Sequence, residues 1–436
     1  MDADRLTSQS IVHALRLGLV PARGLEHIVV GRESELAIVR RDLEFSKRGG
    51  GWVRFFGGPH GAGKTFICSL VRELAWREGF IVATIDLGPD GPMHKREVIY
   101  HRMMKGMRSH HIRDVPAFEF IVQEWLFALQ QDIQRTIGLN SAHPNQWSEL
   151  SALVEQEVGK RLVQLQIYNT SLANALRAYY RASHQANEPL MTAATQWLTG
   201  EPHDFTELRR EFDITGTIAK ENAFEFLQAM GRLIVHIGYA GLLLICDEAD
   251  LISRLARPDN RLAAYENMRS LMDGTAHGTF PHCGFLFAGS EDLFHDGIRG
   301  IAAYPPLSQR LKLGRARRPA KDDDGPIIML NGFDRQTLHY VALKIRDVHA
   351  IAYDWHASAR LTNELMSALV ESAAGRFGEG LTAAPRGFFK VLVDILDEVR
   401  QHPQTSAIEV VKSGIDPERI EEVEREDVHL LDHDLL

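Results

Sequence analysis

The sequence predicts an α/β fold with a parallel sheet, a large helical insertion and a helical lid, and three observations lead there. A glycine-rich turn, Gly58-Pro59-His60-Gly61-Ala62-Gly63-Lys64-Thr65, directly follows the apolar run Trp52-Val53-Arg54-Phe55-Phe56. A second apolar run, Gly241 to Cys246, ends in Asp247-Glu248. Lys64 and Asp247 stand 183 positions apart, far beyond the roughly 30 residues of a strand-helix-strand unit, so further structure must be inserted between them.

The first run has the context that a P-loop requires, a strand leading through glycines into a helix. Glycines let the backbone turn tightly so that successive N–H groups point at phosphate oxygens, and the helix N-terminus adds partial positive charge. Lys64 then reaches the β/γ oxygens and the Thr65 hydroxyl ligates Mg²⁺. Such a string arises by chance in about 1–2% of chains this long, which weakens the reading as an ordinary surface turn. The second run is continuously apolar, as a strand covered on both faces must be. Asp247 would hold Mg²⁺ through its water shell, and Glu248 would activate the attacking water. A buried strand ending in solvated acids is common on its own; beside a P-loop it points to nucleotide hydrolysis, with ATP and Mg²⁺ as the implied ligands.

Composition is that of a soluble protein: 25% charged residues, and no run near the roughly 20 apolar residues of a membrane span. The N-terminus lacks the basic and apolar regions of a signal peptide. Cys68, Cys246 and Cys283 are the three cysteines, too few and scattered for a disulfide framework, so a reducing cytoplasm is expected. A net charge of −9 argues against general attraction to nucleic acid but leaves room for a local basic groove.

In order along the chain, Ser8 to Leu17 reads as a helix, within an N-terminal extension spanning residues 1–28. Residues 29–330 form the ATPase core: a helix from Ala37 to Phe45, the P-loop helix from Phe66 to Glu78, and strands at Phe80–Asp86, Gly284–Ser290 and Ile327–Leu330. The insertion, about residues 101–237, is helical in pattern, with stripes over Phe118–Ile137, Trp147–Tyr168, Leu172–Ser183 and Ala223–Ile237. Its tyrosines Tyr168, Tyr179 and Tyr180 could stack bases, although aromatics at helical spacing usually belong to a core. His94, His101, His110 and His111 have no fixed ligand spacing and read as a solvated surface rather than a metal site. Residues 331–400 form the lid, with helices at Leu361–Ala374 and Gly387–Arg400. Residues 401–436 form an acidic tail, with ten acids against three bases from Ala407 onward.

This ordered set of motifs resembles the AAA+ class of P-loop NTPases, in its initiator-like branch. The resemblance implies that Gly31 and Arg32, in Gly31-Arg32-Glu33, pack beside adenine. It also implies that Ser290 contacts the γ-phosphate or the water as sensor 1, and that Arg386, in Ala384-Pro385-Arg386, reaches the γ-phosphate from the lid as sensor 2. Arg310 stands where relatives carry an arginine finger aimed at a neighbouring subunit. Sensor 1 here reads Gly289-Ser290-Glu291, a hydroxyl in place of the expected threonine. Several phrases, among them Ala14-Leu15-Arg16, Val30-Gly31-Arg32-Glu33, Val82-Ala83-Thr84-Ile85-Asp86-Leu87 and Pro385-Arg386-Gly387, resemble the ATP-binding, BrxD-like protein of BREX-type phage-defence systems. That resemblance implies other defence-system proteins as partners; the place of Arg310 makes a homo-oligomer a candidate, the basic residues from Arg310 to Lys321 make duplex DNA another, and the lack of a long apolar run speaks against a membrane.

Arg310 also opens a basic cluster with Lys312, Arg315, Arg317, Arg318 and Lys321. Finger, DNA-backbone patch and solvated face all remain open for it. Arg386 at a helix start opposes the helix dipole unless an anion sits nearby, which favours phosphate contact. The competing functional reading is a slow-hydrolysing nucleotide switch or interaction module, against which the intact Glu248 speaks. A small-molecule kinase would need an acceptor site and lid arginines close after the P-loop.

Overall fold

Apolar runs that cannot be left solvated on either face come together as the central sheet. The computed structural model describes residues 2–87, 93–137, 144–164, 169–201, 205–313, 325–377 and 385–414. The first half contains α1 (Asp2–Arg16), α2 (Glu33–Lys47), β1 (Trp52–Gly57), α3 (Lys64–Arg77), β2 (Ile81–Asp86), α4 (Arg96–Gly106) and the two-residue β3 (Met107–Arg108). The insertion continues through α5 (Phe118–Ile137), α6 (Pro144–Gln164), α7 (Thr170–Gln185), α8 (Glu188–Thr199), α9 (Thr206–Phe212) and α10 (Ala223–Ile237). The chain then returns to the sheet as β4 (Leu242–Asp247), α11 (Leu251–Arg254), α12 (Pro258–Ala276), β5 (Cys283–Gly289), α13 (Glu291–His295), α14 (Pro305–Arg310) and β6 (Ile327–Met329). The span expected as the lid, called the lid below, holds α15 (Arg335–Tyr353), α16 (Ala357–Arg360), α17 (Asn363–Phe377) and α18 (Pro385–Gln401), followed by α19 (Ala407–Gly414).

The strand order is β3-β2-β4-β5-β1-β6, parallel except for β3. Alternate residues of each strand serve opposite faces. Phe56, Val82, Leu243, Ile245, Leu286 and Ala288 pack with α2 and α3. Phe55, Ala83, Leu244, Phe285 and Phe287 join a larger core shared with the insertion. Because β2 pairs directly with β4, Ile81 opposite Leu242, the inserted helices leave the sheet unbroken and cover one of its faces. Tyr179 and Tyr180 are buried there, their hydroxyls on Glu119 and Gln130, so those two belong to the core and offer no stacking surface; Tyr168 lies outside the described residues. His101 Nδ1 meets the Thr199 carbonyl at 3.1 Å, and His110 packs edge-on against His111. Among the described residues no helix is long and apolar enough to cross a membrane.

Helix α1, expected as an extension, is built into the lid core. Ile11, Val12 and Leu15 are buried with Leu338, Ile345, Leu392 and Leu396. Three buried aliphatics contribute about 5–8 kcal/mol gross, comparable with the net stability of a whole domain, so the lid depends on its N-terminal strap. Arg16 donates to Asp397 at 2.6 Å and to the Tyr353 hydroxyl at 3.0 Å. Trp355 Nε1 donates to His349 Nδ1 at 3.0 Å, which leaves the His349 proton on Nε2, facing Asp397 at 3.2 Å. In the tail, Val410 and Val411 of α19 are buried in the same core; residues 415–436 lie outside the described residues.

Two outcomes follow for the lid. Replacing Asp397 with Ala strips the partner from Arg16 and from a fully buried histidine, an expected loss of about 3 kcal/mol, measured by urea denaturation. Burial holds His349 below its usual pKa despite the Asp397 bond. The unfolded chain therefore takes up a proton first as pH falls through about 6.5, and stability should decline below that pH. In the His349→Gln variant the stability–pH curve should be flatter between about pH 7 and 5.5.

Candidate active site

At the end of β1 the chain must turn within a few residues and re-emerge as α3. Gly58, Gly61 and Gly63 adopt φ of 157°, 79° and 84°. A Cβ at Gly58 would lie 2.8 Å from the Leu330 carbonyl oxygen, so only glycine fits where the loop passes the segment after β6. Gly63 occupies the left-handed region immediately before Lys64, leaving the first N–H groups of α3 facing into the loop.

Arg32 holds this loop from behind. Its Nη2 donates to the Ala62 carbonyl at 2.7 Å and to the Asn331 carbonyl at 3.2 Å, and Nη1 meets Glu35 at 3.2 Å. The guanidinium also lies 5.8 Å from the Phe333 ring centre. The structure thus turns the Arg32 side chain to the loop's backbone. Val30, Phe66, Phe333 and Phe389 pack at the edge of the lid core, with Phe333 and Phe389 edge-to-face at 6.1 Å, and form an apolar wall between linker and lid. Gly31, at φ 67°, passes close to Thr337 of that wall.

Lys64 folds back on the cradle, its Nζ donating to the Gly58 and Pro59 carbonyls at 3.1 and 2.9 Å. Burial pulls its ammonium below the usual range, opposed by Asp250 and Asp247. Strand β4 delivers Asp247, buried and close to the Thr65 side chain. Its carboxyl is raised by burial, while the Glu248 N–H, donated at 2.9 Å, opposes the shift. Glu248 has φ 55°, a left-handed geometry of a kind that clusters at functional sites. Burial, and then Asp247, Asp86 and Asp250, raise its carboxyl above the ordinary value. Ser290 directly follows β5, and its N–H donates to Asp250 at 3.3 Å. His60 is lowered by burial first and then by Lys64 and Arg386.

Arg386 lies exposed in the first turn of α18, and its positive charge reaches His60, Lys64 and Glu248. Arg310 is engaged elsewhere: its guanidinium grips Asp273 of α12, with Nη2 at 2.9 Å, and donates to the Pro306 carbonyl at 2.7 Å. Lys64, Thr65, Asp247, Glu248, Ser290 and Arg386 are therefore gathered at one edge, and Arg310 is not among them. Arg315, Arg317, Arg318 and Lys321 lie outside the described residues. Sequence reasoning gave no role to Asp250, Arg254 or Asp86. Asp250 had a visible signal as the third acid of Asp247-Glu248-Ala249-Asp250, whereas the pairing of Asp86 with Asp247 exists only through the strand register.

The family model described as BREX system ATP-binding protein BrxC/D matches residues 4–414. Among solved structures, the chain is similar to the ORC2 protein of Aeropyrum pernix, determined as ADPNP–ADP complexes. That likeness has 14% identity and a TM-score of 0.42, over 89% of this chain and 68% of the other. No curated protein matches the sequence.

Replacing Arg32 with Ala would leave the Ala62 carbonyl without its buried donor. A hydrogen bond to a charged group contributes about 1.5–3 kcal/mol, so nucleotide affinity should fall about tenfold or more, read by titration with a fluorescent ATP analogue. Affinity equal to that of the unmodified chain would show that the loop holds its shape without Arg32.

Proposed function

The chain belongs to the BREX system ATP-binding protein BrxC/D family, and on that premise we propose that it hydrolyses Mg-ATP in the cradle and couples nucleotide state to lid position or assembly. One observation carries the reading: Asp247, buried at the end of its strand, stands beside Thr65, which opens the P-loop helix and whose side chain opposes the rise of the Asp247 carboxyl. The two oxygens fit Mg²⁺, a hard cation that favours carboxylate and hydroxyl ligands, and a dication would relieve the burial that raises Asp247. When bound, Mg²⁺ supplies neutralisation of the charge on the transferring phosphoryl group.

The residues divide the rest of the work. Lys64 exchanges the Gly58 and Pro59 carbonyls for phosphate oxygens, and the N–H groups at the start of α3 receive the remaining charge. The wall of Val30, Phe66, Phe333 and Phe389 offers an apolar seat for the base next to Gly31. Glu248 orients the water and accepts its proton on a carboxylate oxygen; a pKa raised towards the operating pH suits a base. The Ser290 hydroxyl faces the γ-phosphate or the water, and Arg386 reaches the γ-phosphate from the lid. Loss of that phosphate would release the lid arginine, so turnover and lid motion are linked. The same reading includes work with other defence-system proteins in the cytoplasm, assembly of copies of the chain, and contact with duplex DNA through the segment Arg310–Lys321.

Two experiments test this. Lys64→Ala should abolish ATP binding, while Glu248→Gln should bind normally and lose about 10²–10⁴-fold in turnover; hydrolysis at the unmodified rate in Glu248→Gln would remove that residue from the mechanism. For assembly, Arg310→Ala should bind ATP yet turn it over poorly, and mixing it with the Lys64→Ala protein should restore part of the rate through composite sites. A chain that stays monomeric with ATP in light scattering and hydrolyses at full rate without Arg310 would exclude the finger.

A further inference from the structure

On the surface beside Asp250, four arginines lie close together in the fold. Arg254 ends α11, Arg257 precedes α12, Arg261 lies in α12 and Arg299 lies in the turn after α13. Arg261 Nη1 donates to the Leu255 carbonyl at 2.5 Å, and Arg299 Nη2 reaches the same oxygen at 3.5 Å and the Arg254 carbonyl at 3.4 Å. Two guanidinium groups thus share one carbonyl, with the exposed Arg254 and Arg257 alongside. Among the described residues no carboxylate lies within ion-pair distance of Arg257, Arg261 or Arg299, and Arg254 is 3.9 Å from Asp250. Three acids lie nearby, and Arg299 and Arg261 act on one of them, Asp296. Asp296 accepts the N–H groups of Ile298 and Arg299 at 2.8 and 3.0 Å, Asp259 lies in the first turn of α12, and Asp250 takes the Ser290 N–H.

The turn that carries Arg299 is rigid. A Cβ at Gly300 would fall 2.6 Å from the Asp292 carbonyl oxygen, and the Tyr265 hydroxyl donates to the Arg299 carbonyl at 2.7 Å. At its tip Ile298 is 83% exposed. Because Arg257, Arg261 and Arg299 have no carboxylate at ion-pair distance among the described residues, a polyanion finds guanidinium groups here to pair with. We propose that this arginine face, with Ile298 at its tip, binds the phosphate backbone of nucleic acid without regard to sequence. Guanidinium groups match phosphate geometry, and single aliphatic side chains beside arginines are used as wedges against base steps. A protein partner fits less well: Ile298 and Leu262 are the large aliphatics exposed on this face, too few for the apolar core of a standard protein interface. Because Asp250 holds both Arg254 and the Ser290 N–H, a phosphate that draws Arg254 away would be felt at Ser290. That coupling rests on the ATPase reading, whereas the binding does not.

The test is fluorescence anisotropy with a labelled duplex and its single strand, titrated between about 50 and 200 mM salt. The probe protein is the full chain, in which Arg257→Gln, Arg261→Gln and Arg299→Gln are combined; glutamine keeps a donor for the Leu255 carbonyl and removes the charge. Affinity should fall at least about tenfold, and the slope of log K against log salt should shrink by about 2–3. Arg257→Gln alone, at an exposed residue, should shrink it by about 1 and guards against misfolding. The larger loss identifies duplex or single strand as the ligand. Equal affinity and slope for the unmodified and triple-variant chains, no binding by either, or competition by polyglutamate as effective as by DNA would each overturn the proposal. Loading of a fluorescent ATP analogue is measured in parallel and should be unchanged by the substitutions; failure of the unmodified chain to load it would count against the proposed nucleotide site and leave the DNA result to judge this surface.

Discussion

Parallel pairing of β4, β5 and β1, in a register that sets Cys246 opposite Phe287 and Gly57 opposite Gly289, fixes where the chemistry can stand. Strands β4 and β5 are buried along their whole length, so their polar side chains emerge where the strands stop. Because the strands run the same way and stop together, Gly58, Asp247 and Ser290 come to one edge. From β1 the chain crosses to β2 on one side, while from β5 it crosses to β6 on the other. That reversal opens the crevice at the carboxyl ends of the strands in which α/β folds bind ligands.

The same geometry explains why the insertion and the N-terminal strap are tolerated. The ladder from β2 to β4 forms directly, Ile81 opposite Leu242, so the described helices α4 to α10 can pack over one face without parting the strands. The strap packs entirely on the lid through Ile11, Val12 and Leu15, and Lys344 of α15 donates to the Val29 carbonyl at 2.8 Å. The linker from strap to core thus runs against the lid just before Gly31 and Arg32. Lid, linker and phosphate loop form one mechanical path, since Arg32 bonds both the Ala62 carbonyl in the loop and the Asn331 carbonyl at the lid's root.

Legibility in the sequence followed locality. Helices α5 and α10 match their expected spans at both ends, because an apolar stripe and a glycine or polar break are written within each segment. Strands β1, β2, β4 and β5 were visible as largely apolar runs, and the phosphate loop as a spaced motif. What could not be read was set at long range. Strand β3 is two residues long and owes its existence to pairing with Val82 and Ala83. Helix α1 showed an apolar face but nothing to say that its partner lay over 300 positions away. The Asp273 that binds Arg310 lies 37 positions before it, and the carbonyls that occupy Arg32 are backbone atoms no side-chain pattern reveals. Helix α12, 19 residues long, passed unnoticed because its buried Ala264, Tyr265, Asn267, Met268 and Leu271 make a narrow, partly polar stripe.

Arg386 brings lid and crevice into one account. A cation in the first turn of a helix opposes the dipole at a cost of about 0.3–1 kcal/mol, and here it also faces Lys64 and His60, whose pKa values it lowers. Without an anion, the lid arginine is repelled by the cradle beneath it, with Glu248 as a partial counterweight. On the proposed reading, a γ-phosphate reverses the sign of that interaction, because the same site becomes the strongest negative charge within reach of α18. Lid closure is then favoured only while the third phosphate is present, and the energy of the exchange is delivered to the helix that also anchors α1 through Asp397 and Arg16. A nucleotide-dependent movement would therefore carry the N-terminal strap with the lid as a single body, and would reach the phosphate loop again through the linker at Val29 and Arg32.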